Sequence, residues 1–172
     1  FRAYHDPLTG LPNRSGFSEM LAEAIAEIRP QAGIAVLFLD VDDLKRVHDS
    51  AGHESGDQLL RGVSRRLEAT MRPDDRVGRI AGDEFVILLK NIRDSDEAVT
   101  ISRRINRAIQ APLNVGDHEM EPSASIGVVF TTSPDSRPSV LLRHADAAMY
   151  VAKRSGRGRV ALFEPELEAQ LH

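Results

Sequence analysis

The chain is 172 residues long, 41% hydrophobic and 28% charged, proportions that fit one soluble globular domain with a sizeable buried core. A net charge of −4 argues against a protein that coats a nucleic-acid duplex, and the lack of cysteine removes disulfides and thiolate metal sites. No run of about 18 apolar residues marks a membrane span, and no basic-then-apolar leader opens the chain.

The first predicted element is a helix over 17–28, with Phe17, Met20, Leu21, Ala24, Ile25 and Ile28 at helical spacing and Pro30 as its stop. Residues 34–39 form a continuous apolar run, short enough for a buried strand, that breaks off at Asp40. A second helix is expected over 56–71, with Leu59, Leu60, Val63 and Leu67 on one face and Pro73 closing it. Residues 76–89 read as two strands around a tight break at Ala81, Gly82, Asp83 and Glu84. A helix over 94–109, a strand over 123–130, a Ser/Pro/Asp-rich loop over 131–138 and a helix over 139–154 follow. Gly156 stops that last helix, and 160–163 make a short final strand.

Hairpins mixed with helical crossovers predict an α+β fold with a mostly antiparallel central sheet flanked by helices. The hairpin at 76–89 cannot be a parallel crossover, because its connection is too short.

Two acidic positions stand where strands run out: Asp40, Val41, Asp42 and Asp43 after the apolar run, and Asp83 with Glu84 at the hairpin tip. Carboxylates brought together from neighbouring strands suit Mg²⁺, which takes one or two of them and leaves the rest of its shell to substrate phosphates. Gly82 would let backbone approach a phosphate closely. Taken alone, a Gly-Asp tip is also an ordinary turn. Lys153 and Arg157, at and beyond a helix end, suit a phosphate or simply the helix dipole.

The motifs occur in a particular order: Asp6-Pro7-Leu8-Thr9-Gly10-Leu11-Pro12-Asn13-Arg14, Phe38-Leu39-Asp40-Val41-Asp42, Gly52-His53-Glu54-Ser55-Gly56-Asp57, Arg79-Ile80-Ala81-Gly82-Asp83-Glu84-Phe85, Ser125-Ile126-Gly127-Val128 and Asp146-Ala147-Ala148-Met149-Tyr150-Val151-Ala152-Lys153. Across roughly 6–163 the chain thereby resembles the GGDEF family of diguanylate cyclases. The resemblance implies a palm-like sheet shared with nucleotide cyclases and polymerases. It also implies condensation of two GTP into cyclic di-GMP with loss of pyrophosphate, in a homodimer whose sites face each other.

Carried over by motif, Asp40, Asp83 and the Val41 carbonyl would hold Mg²⁺ or Mn²⁺. Asp83 and Glu84 would be the catalytic acids. Lys45, Lys153 and Arg157 would contact phosphates, Gly82 would approach the substrate, and Asp57 with His48 would face guanine. Asp6 and Arg14 are implied to tie the opening segment together. An ATP-using adenylyl cyclase relative is disfavoured by Asp57 and by the motif set.

The chain departs from the family pattern in places. Ala81 stands for the first glycine of the signature, His48 for an asparagine, and Gly158 for a frequent asparagine. Imidazole cannot present the amide's donor and acceptor pair, so weaker GTP binding or a relaxed choice of base is expected. Arg72 and Asp75, five residues ahead of Ala81 in an Arg-x-x-Asp, match the family's product-binding inhibitory site, with Arg104 as supporting arginine and Arg103 one register away. The same stretch is also an ordinary helix exit.

Residues 1–163 are expected to form the GGDEF domain, and 164–172 to begin a connector resembling those that lead to an EAL phosphodiesterase domain. Such a tandem protein would admit a second function, a catalytically degenerate module that binds GTP or cyclic di-GMP and regulates its neighbour. The start at Phe1 suggests a piece of a longer chain, cytoplasmic here, with any membrane anchor upstream.

Overall fold

The structure is a computed structural model and describes residues 3–165. Its first helix, α1 (Arg14–Ala26), starts earlier than the apolar stripe indicates. Asn13 caps it, its side-chain oxygen accepting from the Gly16 amide at 3.0 Å. β1 (Gly33–Val41) follows and is buried along its whole length, as a central strand covered on both faces must be.

Two helices then stand where one was expected. α2 (Leu44–Ala51) buries Leu44 alone, and α3 (His53–Thr70) begins just after Gly52 and buries Leu59, Leu60, Val63 and Leu67. The expected hairpin is β2 (Arg76–Ala81) with β3 (Glu84–Ile92). Asp94 caps α4 (Ser95–Ile109) through the Glu97 amide at 2.8 Å. A small hairpin absent from the sequence reading comes next, β4 (Leu113–Val115) and β5 (His118–Met120). The chain ends with β6 (Ala124–Thr131), α5 (Pro138–Arg154) and β7 (Val160–Leu162).

The main sheet has the order β2-β3-β1-β6-β7, and every pairing except β6 with β7 is antiparallel. The alternation of side chains along β1 explains the layers. Ala35, Leu37, Leu39 and Val41 share one core with α3 and α4. Ile34, Val36 and Phe38 share the other with α1 and α5. This is the mostly antiparallel sheet between helices that the element order predicts, and it fits the palm-like sheet that the resemblance implies. The connector expected over 164–172 lies largely outside the described residues.

Two features of register position the site. Antiparallel pairing sets Asp40 beside Glu84 on β3 and beside Ser125 on β6, so the end of β1 lies against the tip of the β2–β3 hairpin. On β6, Gly127 lets α5 sit almost on the backbone, since a Cβ there would meet Ala145 O and Met149 N at 2.1 Å. The last turn of α5 is thereby brought to the same end of the sheet.

Candidate active site

Asp40 continues the β1 row of Val36 and Phe38, the face covered by α5. Lys153, in the last turn of α5, reaches down and donates to its Oδ2. The hairpin tip is pinned alongside, because the Val41 amide donates to the Asp83 carbonyl at 2.9 Å. The Asp83 carboxyl thereby stands near enough to Asp40 to raise its pKa. Two acids far apart in sequence thus meet at one end of the sheet.

Asp40 is only 7% exposed, and its Oδ1 has no hydrogen-bond partner among the described residues. Burial and the facing Asp83 carboxyl push its pKa up to about 7 against the pull of Lys153. Burial works against the Lys153 charge, but the hydrogen bond and charge of Asp40 hold its pKa above the usual lysine value. A buried carboxylate oxygen facing another carboxylate needs a proton or a cation. Among the described residues no group of three or more His, Asp or Glu side chains could hold a metal. Two carboxylates and a backbone carbonyl nevertheless fit Mg²⁺, which leaves the remaining positions to water and phosphate oxygens.

A cavity of about 540 Å³ opens beside this pair on the Asp83 side, and Val41, Lys45, Asp83, Lys153 and Arg157 all line it. Sequence reasoning had not separated the roles of Asp42 and Asp43. Asp43 also lines the cavity, at φ 62, and is paired with Arg157. Asp42 is buried. It accepts from Ser123 Oγ at 2.6 Å, Ser125 Oγ at 3.0 Å and the Gly158 amide at 3.1 Å, so it fastens β1 to β6 and to the turn after α5.

That turn carries φ 124 at Gly156, 49 at Arg157 and 63 at Gly158, a left-handed run that costs energy at the arginine. Strain of this kind at a residue that lines a cavity points to use. Arg46, also in the lining, was overlooked. Its adjacency to Lys45 was the only signal.

Other predicted residues stand apart from this cavity. His48 lies with its ring over Gly56, where a Cβ would meet the imidazole at 1.9 Å, and with its Nε2 unpartnered among the described residues. The His53 ring centroid is 4.8 Å away. Asp57 is half-buried on α3, one residue beyond Gly56, so both expected guanine readers belong to the α2–α3 pair. Glu84 has its pKa raised by burial and by Asp146 and Asp83, with Arg14 and Lys153 opposing. Asp146 is raised by burial, with Arg14 again opposing. Arg14 therefore balances that acidic pair.

Asp6 is what ties down the opening segment. It accepts from Arg79 Nη1 at 2.9 Å and from the Thr9 amide at 2.8 Å. Ala81 does not have positive φ, whereas Gly82 does, at 50°. The substitution at 81 therefore leaves the turn unstrained.

Arg72 and Asp75 form a closed fork, with Nε to Oδ2 and Nη2 to Oδ1 both at 2.9 Å. Asp75 also accepts from the Arg72 and Lys90 amides. Both its oxygens are engaged, and its structural task is to hold Arg72. Arg104 lies two helical turns beyond Glu97, the α4 acid whose charge is felt at Arg72, whereas Arg103 lies on another side of the helix with Arg107.

A family model described as "Diguanylate cyclase, GGDEF domain" matches residues 3–159. The bifunctional diguanylate cyclase/cyclic di-GMP phosphodiesterase MucR of Pseudomonas aeruginosa is 40% identical over 97% of this chain and 24% of its own length. The cyclic di-GMP phosphodiesterase PdeR of Escherichia coli is 36% identical over 96% of this chain and 25% of its own. Among solved structures, the GGDEF domain of TpbB (YfiN) from Pseudomonas aeruginosa superposes with a TM-score of 0.91 at 36% identity, over 97% of this chain and 98% of that one. The chain spans about a quarter of the length of the two curated relatives.

Proposed function

The chain belongs to the GGDEF family of diguanylate cyclase domains, and on that footing we propose that it condenses two GTP into cyclic di-GMP and releases two pyrophosphates. The observation that carries this reading is the meeting of Asp40 and Asp83 beside a cavity that also collects Lys45, Lys153 and Arg157.

Asp40, Asp83 and the Val41 carbonyl would hold Mg²⁺ or Mn²⁺, which when bound offsets the charge that grows on the attacked phosphate. Asp83 takes the proton from the attacking 3′-hydroxyl. Each 3′ oxygen forms its bond to an α-phosphorus as the bond to pyrophosphate breaks, and the second such step closes the ring. Lys153, Arg157 and Lys45 hold the departing phosphates as fixed cations. Glu84, half-buried and raised in pKa, stands beside Asp83 as the second catalytic acid, and Gly82 gives the tip its left-handed bend. Asp57 accepts from guanine N1–H and the exocyclic amine, while His48 supplies a poorer second contact. Cyclic di-GMP returns as an inhibitor at Arg72 and Arg104, with Asp75 setting the angle of Arg72.

Incubation with GTP and Mg²⁺, followed by chromatography for cyclic di-GMP and pyrophosphate, tests this. Asp83→Asn is expected to cut the rate by roughly 100-fold or more. A rate in that variant equal to the parent's would sink the mechanism.

A second reading has its own support in the unpartnered His48 Nε2 and in the name of PdeR. In it, the domain binds GTP or cyclic di-GMP without turnover and regulates an EAL domain beyond the tail, in a cytoplasmic protein anchored upstream. GTP binding without product, even with dimerisation forced, would decide for it.

A further inference from the structure

One face of α4 carries Arg103, Asn106 and Arg107, spaced three and four apart as neighbours on a helix must be, and its C-cap Gln110 continues that face. Across from them lie Gly158 and Arg159, and the space between is a cavity of about 360 Å³, within the usual range of small-ligand pockets. It shares no lining residue with the cavity over Asp83. Arg104 is not in its lining either, so it is separate from the Arg72 fork.

Nothing within the described residues neutralises this pocket. The Arg103, Arg107 and Arg159 guanidiniums have neither an ion pair nor a hydrogen bond there. Three like charges around one concavity repel each other, and an anion among them relieves that repulsion.

Asn106 adds a second requirement. It is 5% exposed, and its Nδ2 donates to the Gly158 carbonyl at 3.0 Å, which fixes the direction of the amide. Its Oδ1 is left buried and without a partner among the described residues. Guanidiniums only donate, and the phosphate of a monoester, a dianion at neutral pH with no P–OH proton left, only accepts. Neither can satisfy an orphaned acceptor and three free cations at once. The ligand must carry both an anionic group and a donor.

We propose that the pocket between α4 and the α5–β7 turn is a second binding site, for a small phosphate monoester that also bears hydroxyl or N–H donors, the chemistry of a nucleoside monophosphate. Its phosphate lies among the three arginines and a donor meets Asn106 Oδ1. Gly158 ties this pocket to the other site without lining the latter: its carbonyl accepts from Asn106 and its amide donates to Asp42, in the turn that presents Arg157 to the other cavity.

The test is calorimetry with guanosine 5′-monophosphate on the full chain bearing Lys153→Ala and Arg157→Ala, which weakens the first cavity. One binding event per chain is expected. Adding Arg103→Gln and Arg107→Gln should weaken it about tenfold or more, while adding Arg72→Ala should leave it within about twofold. The same arginine pair changed in the otherwise unaltered chain should remove the same event, and these exposed positions leave folding intact, as a melting curve will verify. Inorganic phosphate should bind at least about fivefold more weakly, since it offers Asn106 less. Undiminished binding after Arg103→Gln and Arg107→Gln, no event at all, or equal affinity for inorganic phosphate would each overturn the proposal.

Discussion

Ala81 and Gly82 are neighbours in one turn, yet only the second occupies the left-handed region. A methyl group at 82 meets no atom within 4 Å, so its cost is purely that of backbone strain, about 1–2 kcal/mol. At 81 the methyl is exposed and unstrained. Ala81→Gly is therefore expected to leave cyclic di-GMP output within about twofold, whereas Gly82→Ala should lower the unfolding free energy measured in urea by about that strain energy. His48 is the departure with consequence. Its ring fills the space above Gly56, yet its Nε2 is left unsatisfied. An amide in its place restores a donor and acceptor pair, worth about 1 kcal/mol, so His48→Asn should lower KM for GTP roughly fivefold. Steady-state kinetics decides this, and an unchanged KM would remove His48 from the account of guanine binding.

At the scale of elements, the contact of α5 with β6 carries the site, because it sets how far Lys153 reaches. Gly127 is what permits it. A Cβ there would lie 2.1 Å from two backbone atoms of α5, and backbone cannot step aside as a flexible side chain can. Gly127→Ala should cost about 3 kcal/mol in urea unfolding and should also reduce turnover, by lifting Lys153 from Asp40.

The elements that were legible in sequence share a cause: each buries a continuous pattern. β1 is apolar through Leu39, and α3, α4 and α5 each show a broad stripe. α2 escaped because only Leu44 is buried, which leaves no periodicity to read. β4 and β5 escaped because three-residue strands are too short for alternation to register, although Gly116 and Asp117 mark their turn. Within the site, Asp40, Asp83, Lys153 and Arg157 stand out by their places at strand and helix ends, whereas Lys45 enters only through the family resemblance. The clamp formed by Asp42 was not legible, since it depends on β6 and the α5–β7 turn arriving together.

For the whole molecule, the decisive constraint is that the cavity beside Asp83 has one set of cations among the described residues while the proposed product needs two nucleotides. Lys45, Lys153 and Arg157 give a single set of cations for a single triphosphate. The 3′-hydroxyl of a GTP held there must attack the α-phosphorus of another GTP, and that second GTP must itself be held in line, because orientation supplies much of the rate. A second copy of the chain, its own cavity facing the first, meets the requirement with no further machinery. Activity per chain should then fall in proportion to concentration once the chain is diluted below its self-association constant, about tenfold for a tenfold dilution. Fusion to a parallel coiled-coil dimer should abolish that dependence by raising the effective concentration of the partner. Pyrophosphate release followed across a dilution series, with sedimentation to report the oligomeric state, measures both. A chain that sediments as a monomer and keeps its full rate per molecule would refute the two-copy arrangement, even with Asp40 and Asp83 still together at the end of the sheet.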